Sequence, residues 1–498
     1  MEEKISVAEF NCFKNIYSGS LRKEESRDVV VPDTLPDISE VLCCEGRMLI
    51  RSKDISPGRV KTEVNVNIEV MYKGDDGNIY SVNVIVPINL TTEDESIGEK
   101  CSVSAMLKMI RLDARTLNPR KIFVRAEVGG EVTVFEETKI VINNAAADEE
   151  HIKCKKAMKQ VSYITSVGEK TFALTDEFSL PIAADKVCGV LFTGCKCLVD
   201  DVKALGTKLI VKGRIKCAFC CTDCDGEILR IENIRDYSQV IDLGIEAGHG
   251  VKNVWIIPSG TYCSYDENEK RVSLELHLVA QYVCRCNADI EYIDDAYSNR
   301  FNLNQERKEI KLEYVDELIC LRENVKQLFE TSGAISDIIY SIIWAEKPEL
   351  KSDGLKVPIN ISFICRNGEN IWCENRKTEV SLRLPDAGRK YLADNAEVEE
   401  YSLIPVPGGV ELRLLVSSEI CEQRDAIIDF VSEISYNAEE AIDNSDKPSI
   451  TLLRVKEGDE LWSLARNNCS SPDAILNVNN IENLSASVGK LILIPKTY

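Results

Sequence analysis

"NVNIEVMYKGDDGNIYSVNV" (Asn65–Val84) decides the fold. Val66, Ile68, Val70 and Tyr72 fall at every second position, the pattern of a strand with one buried face. Asp76-Gly77 follows, a dipeptide suited to the positive φ of a tight hairpin, and "NIYSVNV" opens a partner strand. The same turn chemistry returns at Asp225-Gly226 and Asn367-Gly368, with successive glycines 149 and 142 residues apart. Counted back by twos from those glycines, Cys221, Phe219, Cys217, Ile215 and Gly213 take the register of Tyr72, Val70, Ile68, Val66 and Val64. Phe363, Ile361, Ile359, Val357 and Leu355 take it again, and "EILRIEN" and "ENIWCEN" supply the partner strands.

A second marker lies upstream. "PDISEVL" (Pro36–Leu42), "ADKVCGVL" (Ala184–Leu191) and "SDIIYSII" (Ser336–Ile343) each place an Asp before an apolar-rich turn. Asp37 and Asp185 precede their glycines by 40 and 41 residues and Asp337 by 31, so the third copy reads as having lost about ten residues from a loop. Each Asp is expected to open a short helix by accepting an N-terminal amide hydrogen bond. Pro358 is expected to demote its strand to a sheet edge, because proline donates no ladder hydrogen bond. Polar or helical connectors are expected at Asn143–Gln160 and Tyr314–Phe329. The latter carries Leu318, Leu321, Val325, Leu328 and Phe329 at helical spacing, as for a helix packed on a sheet.

The chain has 498 residues, too many for one core, and its net charge is −22. That acidity argues against nucleic acid and anionic membrane surfaces, which need clustered Lys and Arg. The opening "MEEKISVAEFNCFKNIY" has neither the basic nor the apolar region of a secretory signal, and no run of 18 apolar residues occurs. Twenty cysteines without an export signal point to a reducing cytosol, where they stay thiols or bind metal.

The last residues form a different pattern. "LLRV" reads as a strand, Gly458 as a turn, and Asp459 as the N-cap of a helix carrying Leu461, Trp462, Leu464 and Ala465. Ser471-Pro472 opens a second helix as N-cap and first residue, and "GKLILIP" closes a strand pair. The segment has five basic and five acidic residues, so the chain's negative charge lies elsewhere.

Two family resemblances follow. "PDISEVL", the strand after "SPGRV" and the "NVNIEVMYKGDDG" hairpin resemble the SPOCS domain of spore-coat-associated proteins, and "DDAYSNRF" (Asp294–Phe301) resembles the stretch joining successive copies in that family. The GD-x-LW-x-x-A opening and the G-x-L-I-L-I-P ending resemble a LysM domain. Three SPOCS copies followed by LysM are similar to the spore-coat morphogenetic proteins that dock on the coat basement-layer ATPase. The resemblance implies a mainly β fold of three β-rich repeat domains with short helices, plus a small α+β (βααβ) LysM domain. Expected boundaries are 1–147, 148–303 (Cys-rich), 304–440 and 441–498. It also implies a groove, formed here by Gly458, Asp459, Glu460 and Leu461 on one side and Asn480, Ile481 and Leu484 on the other, that holds N-acetylglucosamine glycans in LysM domains. Glu460 stands where LysM domains commonly carry Thr or Ser. A carboxylate only accepts hydrogen bonds and resists desolvation, which weakens the sugar reading. Trp462 and Leu461 read as core before contact.

Ten cysteines lie between Cys188 and Cys286, with two overlapping C-x-x-C pairs in "CAFCCTDC". The repeat register makes Cys217 and Cys221 core residues and turns Cys220 and Cys224 to the other face, with Cys195/Cys197 and Cys284/Cys286 as partners for a metal. Buried thiols are the favoured reading, and no metal or cofactor is assigned. His151, His249 and His277 share no metal or triad spacing, His277 reading as a packed strand residue, and neither a P-loop nor a Rossmann glycine motif occurs. The residues themselves point only to multivalent, non-catalytic binding; the family resemblance adds the sporulation context and implies a non-enzymatic coat-assembly scaffold. It would work in the mother-cell cytoplasm and on the forespore surface, without nucleic acid or membrane insertion. Its partners would be the basement-layer ATPase and other coat proteins, with binding of peptidoglycan as the alternative.

Overall fold

The computed structural model describes residues 6–145, 151–179, 187–223, 228–266, 271–368 and 370–497. One strand plan recurs along it. β1 (Ser6–Val30) is followed by the antiparallel meander β2 (Ile38–Ser56), β3 (Arg59–Gly74) and β4 (Ile79–Glu93). β5 (Ser102–Asn118) then pairs with β6 (Lys121–Ala145), which returns along the whole of β1. In the second unit the plan is β7 (Lys153–Ser179), β8 (Val187–Leu205), β9 (Lys208–Asp223), β10 (Ile228–Asp242), β11 (Lys252–Asp266) and β12 (Arg271–Tyr297). The third unit runs β13 (Phe301–Glu330), β14 (Asp337–Ala345) with β15 (Glu349–Lys351), β16 (Gly354–Asn367), β17 (Asn370–Leu382), β18 (Tyr391–Val406) and β19 (Gly409–Ala441). In each unit the meander packs on the long-strand sheet. The alternating side chains of β3 and β4, Val64, Val66, Ile68, Val70, Val82, Val84, Val86 and Ile88, fill the first core.

The units meet at two hubs. A β-bulge interrupts the first meander strand at Leu42, Leu191 and Ile339, since the ladder skips from Val41 to Cys43, from Val190 to Phe192 and from Ile338 to Tyr340. These bulge residues join Met71, Cys220 and Ile364 of the middle strands in one buried cluster, with Ile79, Phe192 and Tyr340, and Ile228 and Ile371 packed against it. Each unit thus contributes the same positions to an approximately threefold junction. The second hub lies among the long strands: Cys12, Ile140 and Ile142 meet Val161 and Ile290, and Ala426, Ile428 and Phe430. Polar contacts close the ring. Lys53 Nζ donates to Gln281 Oε1 at 2.8 Å, Lys216 Nζ to the Glu399 carbonyl at 2.7 Å, and Tyr340 donates to Glu45. Between the hubs is an open cleft of about 2250 Å³ lined by all three units.

Several sequence expectations change. Among the described residues before 450 there is no helix. Asp37 and Asp337 precede or begin strands and accept from Arg120 and Arg366, each at 3.0 Å, instead of capping helices; Asp185 lies outside the described residues. The bulge explains the error, because an inserted residue breaks the period of two and makes Ile38, Val41 and Leu42 look helical. Tyr314–Phe329 is likewise part of β13. Leu321, Val325 and Phe329 are four apart, a spacing that a strand satisfies as well as a helix does. The connector expected at Asn143–Gln160 is the end of β6 and the start of β7, apart from the undescribed 146–150.

Pro358 is not at an edge. It sits in β16, the middle strand, opposite Glu379 of β17, where the other neighbour breaks between β14 and β15; its carbonyl accepts from Glu346 N at 2.8 Å. A missing donor costs nothing at that break. The third register is also two residues off: Cys365, not Phe363, is equivalent to Tyr72, because Arg366 pairs with Ile371 across a shorter turn than that joining Lys73 to Ile79. An even slip leaves the buried face intact. Gly77 and Gly368 have φ of 86° and 60°, as the turns require, while Asp225-Gly226 lies outside the described residues.

Candidate docking site of the C-terminal module

The tail folds as β20 (Ile450–Arg454), α1 (Leu461–Asn467), α2 (Pro472–Asn479) and β21 (Leu491–Pro495), with β20 and β21 antiparallel. Its core holds Val455, Ala465, Ile475, Leu484, Ile492 and Ile494. Ser471 caps α2 as expected, its hydroxyl accepting from Ala474 N at 3.2 Å with Pro472 next. The first helix differs. Its N-cap is Glu460, extended and without a side-chain cap, while Asp459 Oδ2 accepts from Lys456 N at 2.8 Å and closes the turn in front. The carboxylate thus binds the nearest unsatisfied amide, one made by the loop that Gly458 opens at φ 90°.

The expected groove residues divide in two. Gly458, Glu460 and Asn480 are exposed and Asp459 is half-buried. Leu461 and Ile481 are half-buried against the module core, and Leu484, 7% exposed, belongs to that core. Asn480 holds its bend with φ of 48°, in the left-handed region that Asn tolerates. The exposed polar groups of this surface include the Glu460 carboxylate and the Asn480 amide.

Other residues of the module are held by the body of the protein. Trp462 Nε1 donates to Asp295 Oδ2 at 2.8 Å, and its ring meets Tyr297 edge-on with centroids 4.8 Å apart. Arg466 donates to the same Asp295 oxygen at 2.9 Å. Tyr297 Oη donates to the Ser470 carbonyl at 2.8 Å, and burial raises its phenol well above the ordinary value. Asn299 Nδ2 reaches the carbonyls of Ser470 and Thr497 at 3.0 and 3.2 Å, while its own carbonyl accepts from Asn444 Nδ2 at 2.7 Å. Asp295, Tyr297 and Asn299 lie two apart, so the end of β12 and the residues after it turn one face to the module. Sequence reasoning found this segment, "DDAYSNRF", but read it only as a joint between copies. The alternation of Asp, Tyr and Asn was the available sign of a polar seat.

The described cysteines of "CAFCCTDC" divide between two cores. Cys217 and Cys221 lie in the second core as expected, with Cys284, whereas Cys220 faces the hub. Cys224 is outside the described residues. Among the described residues no group of three or more His, Cys, Asp or Glu is placed to hold a metal ion. His277 is a strand residue on the outward face, beside Glu275 at 2.8 Å, rather than a packed one. No helix among the described residues is long and apolar enough to cross a membrane.

Comparison with known families gives two matches. The family described as the SipL, SPOCS domain matches residues 37–115, and the LysM domain matches residues 453–495. The chain carries a SPOCS domain and a C-terminal LysM domain. The SPOCS match begins just before β2 and ends within β5, the part whose strand plan returns in the other two units. Both are families of non-catalytic binding domains, and together they fit a sporulation-related protein with a module of the peptidoglycan-binding type. No curated protein and no solved structure matches the chain.

Proposed function

We propose that a SPOCS domain joined to a C-terminal LysM domain makes this chain a non-enzymatic scaffold of spore-coat assembly, with the LysM groove docking the coat basement-layer ATPase. In this reading residues 1–147, 148–303 and 304–440 are three SPOCS copies and 441–498 the linker and LysM domain. The protein acts in the mother-cell cytoplasm and on the forespore surface, where its acidic outer faces meet other coat proteins. One observation carries the reading. The seat built by Asp295, Tyr297 and Asn299 fixes the module through its Trp462 side and leaves Glu460 and Asn480 outward. A module held in one orientation loses little further freedom on binding, which favours a protein-sized partner with its own fixed shape. Glu460 supports protein over sugar, because a carboxylate seeks donors such as Lys, Arg or backbone amides.

The second reading, binding of peptidoglycan or another N-acetylglucosamine polymer, follows from the LysM match itself. Competition separates the two. Soluble N-acetylglucosamine oligomers leave capture of the ATPase by the full-length chain unchanged if the partner is protein recognised through protein contacts. Displacement of the ATPase by the oligomers, together with sedimentation of the chain on insoluble peptidoglycan, moves the assignment to glycan.

A further inference from the structure

Cys195 on β8 and Cys217 on β9 stand directly opposite each other in the ladder, and their Sγ atoms are 3.5 Å apart. Antiparallel cross-strand positions have Cα separations of about 4.5 or 5.5 Å, both within the range that a disulfide spans. The equivalent cross-strand positions of the other units hold Gly46 with Ile68 and Ile343 with Ile361. Among the described residues no other cysteine is paired with a cysteine in strand register. Cys197, the nearest competitor along β8, is opposite Ile215.

We infer that Cys195 and Cys217 form a site of reversible oxidation, closing to a cross-strand disulfide when the protein meets a small-molecule disulfide such as glutathione disulfide. Access and reactivity are divided between the two sulfurs. Cys217 is 3% exposed in the second core, whereas Cys195 is half-buried and lines the central cleft. The hydrogen bond the two thiols share lowers the Cys195 thiol from its ordinary value against the opposing effect of burial, while the same bond and burial together raise Cys217.

The chemistry balances in two exchanges. The Cys195 thiolate attacks one sulfur of glutathione disulfide, breaking its S–S bond and releasing one glutathione thiolate. Cys217 then loses its proton to that thiolate and attacks Cys195 Sγ, breaking the mixed disulfide and releasing the second glutathione. Two protein thiols are oxidised and one small disulfide becomes two thiols. The product staples β8 to β9 beside the bulge that builds the hub, so oxidation stiffens the second unit without a change of fold.

The test uses the full-length chain in graded mixtures of reduced and oxidised glutathione, trapped with N-ethylmaleimide, digested and read by mass spectrometry. A Cys195–Cys217 linked peptide, lighter by two hydrogens than the separate thiol peptides, is expected at a more reducing mixture than any other intramolecular link. In Cys217→Ser the glutathione adduct on Cys195 is expected to persist. Labelling of both residues by N-ethylmaleimide at mixtures that link other cysteines overturns the assignment. So does a link from Cys195 to Cys197 in place of Cys217, or transfer of the adduct away from Cys195 in Cys217→Ser at the wild-type rate.

Discussion

Trp462 Nε1 and Arg466 Nη1 share one acceptor, Asp295 Oδ2, at 2.8 and 2.9 Å, although more than 160 residues of chain separate them from it. The module at the end of the chain is therefore seated on the junction between the second and third units. Hydrogen bonds to a charged group contribute about 1.5–3 kcal/mol, less where water competes, and Arg466 is half exposed here.

Asp295→Ala removes that acceptor. Docking of the module is expected to weaken by about 2 kcal/mol, seen as faster limited proteolysis in the segment between β19 and β20. The far-UV circular dichroism of the body stays unchanged. Cleavage at the wild-type rate would show that Asp295 does not hold the module.

Phe192 is 1% exposed in the hub and stacks on Tyr340 of the third unit with centroids 5.1 Å apart. Phe192→Ala is expected to cost about 3–5 kcal/mol. Because the hub is common to the three units, the loss should appear as one earlier cooperative transition in urea, not as early melting of the second unit alone. A separate first transition would contradict the shared hub.

Glu374, 5% exposed, gives a pH prediction. Burial raises its carboxyl, but the Ser332 hydroxyl and amide, Trp372 Nε1 and Arg376 outweigh that and hold it below the ordinary carboxylate value. A folded pKa below the unfolded one, about 4.3, contributes stability that is complete above the unfolded value and lost as pH falls through the folded one. Urea midpoints of wild type and Glu374→Gln should therefore differ at neutral pH and converge under acid. A constant difference down to the acid limit would contradict the assignment.

Much of this fold was legible because a buried strand face is written directly as a period of two: Val64 to Tyr72 and Leu355 to Phe363 were read on the correct face. The failures cluster where that period breaks. Bulges at Leu42 and Ile339 imitate a helix start, and the spacing of four in β13 serves either structure. The module was legible for a related reason, since its caps are local chemistry; Ser471 is the cap expected, while Asp459 falls one residue short of the N-cap and accepts from the Lys456 amide in the preceding turn. The seat on Asp295 was not legible. It joins residues distant in sequence, and only the units packed around their hubs bring them together.

Binding of the purified basement-layer ATPase to the full-length chain, compared between wild type and Glu460→Lys, tests the central claim most directly. The Glu460 side chain makes no capping hydrogen bond and is exposed, so the module stays folded in the variant, with only the small cost of a cation at a helix N-terminus. The account predicts capture by wild type and at least a tenfold weaker affinity for Glu460→Lys, a loss of about 1.4 kcal/mol. Equal affinity of the two proteins, or no capture by wild type while it sediments on peptidoglycan, would contradict it.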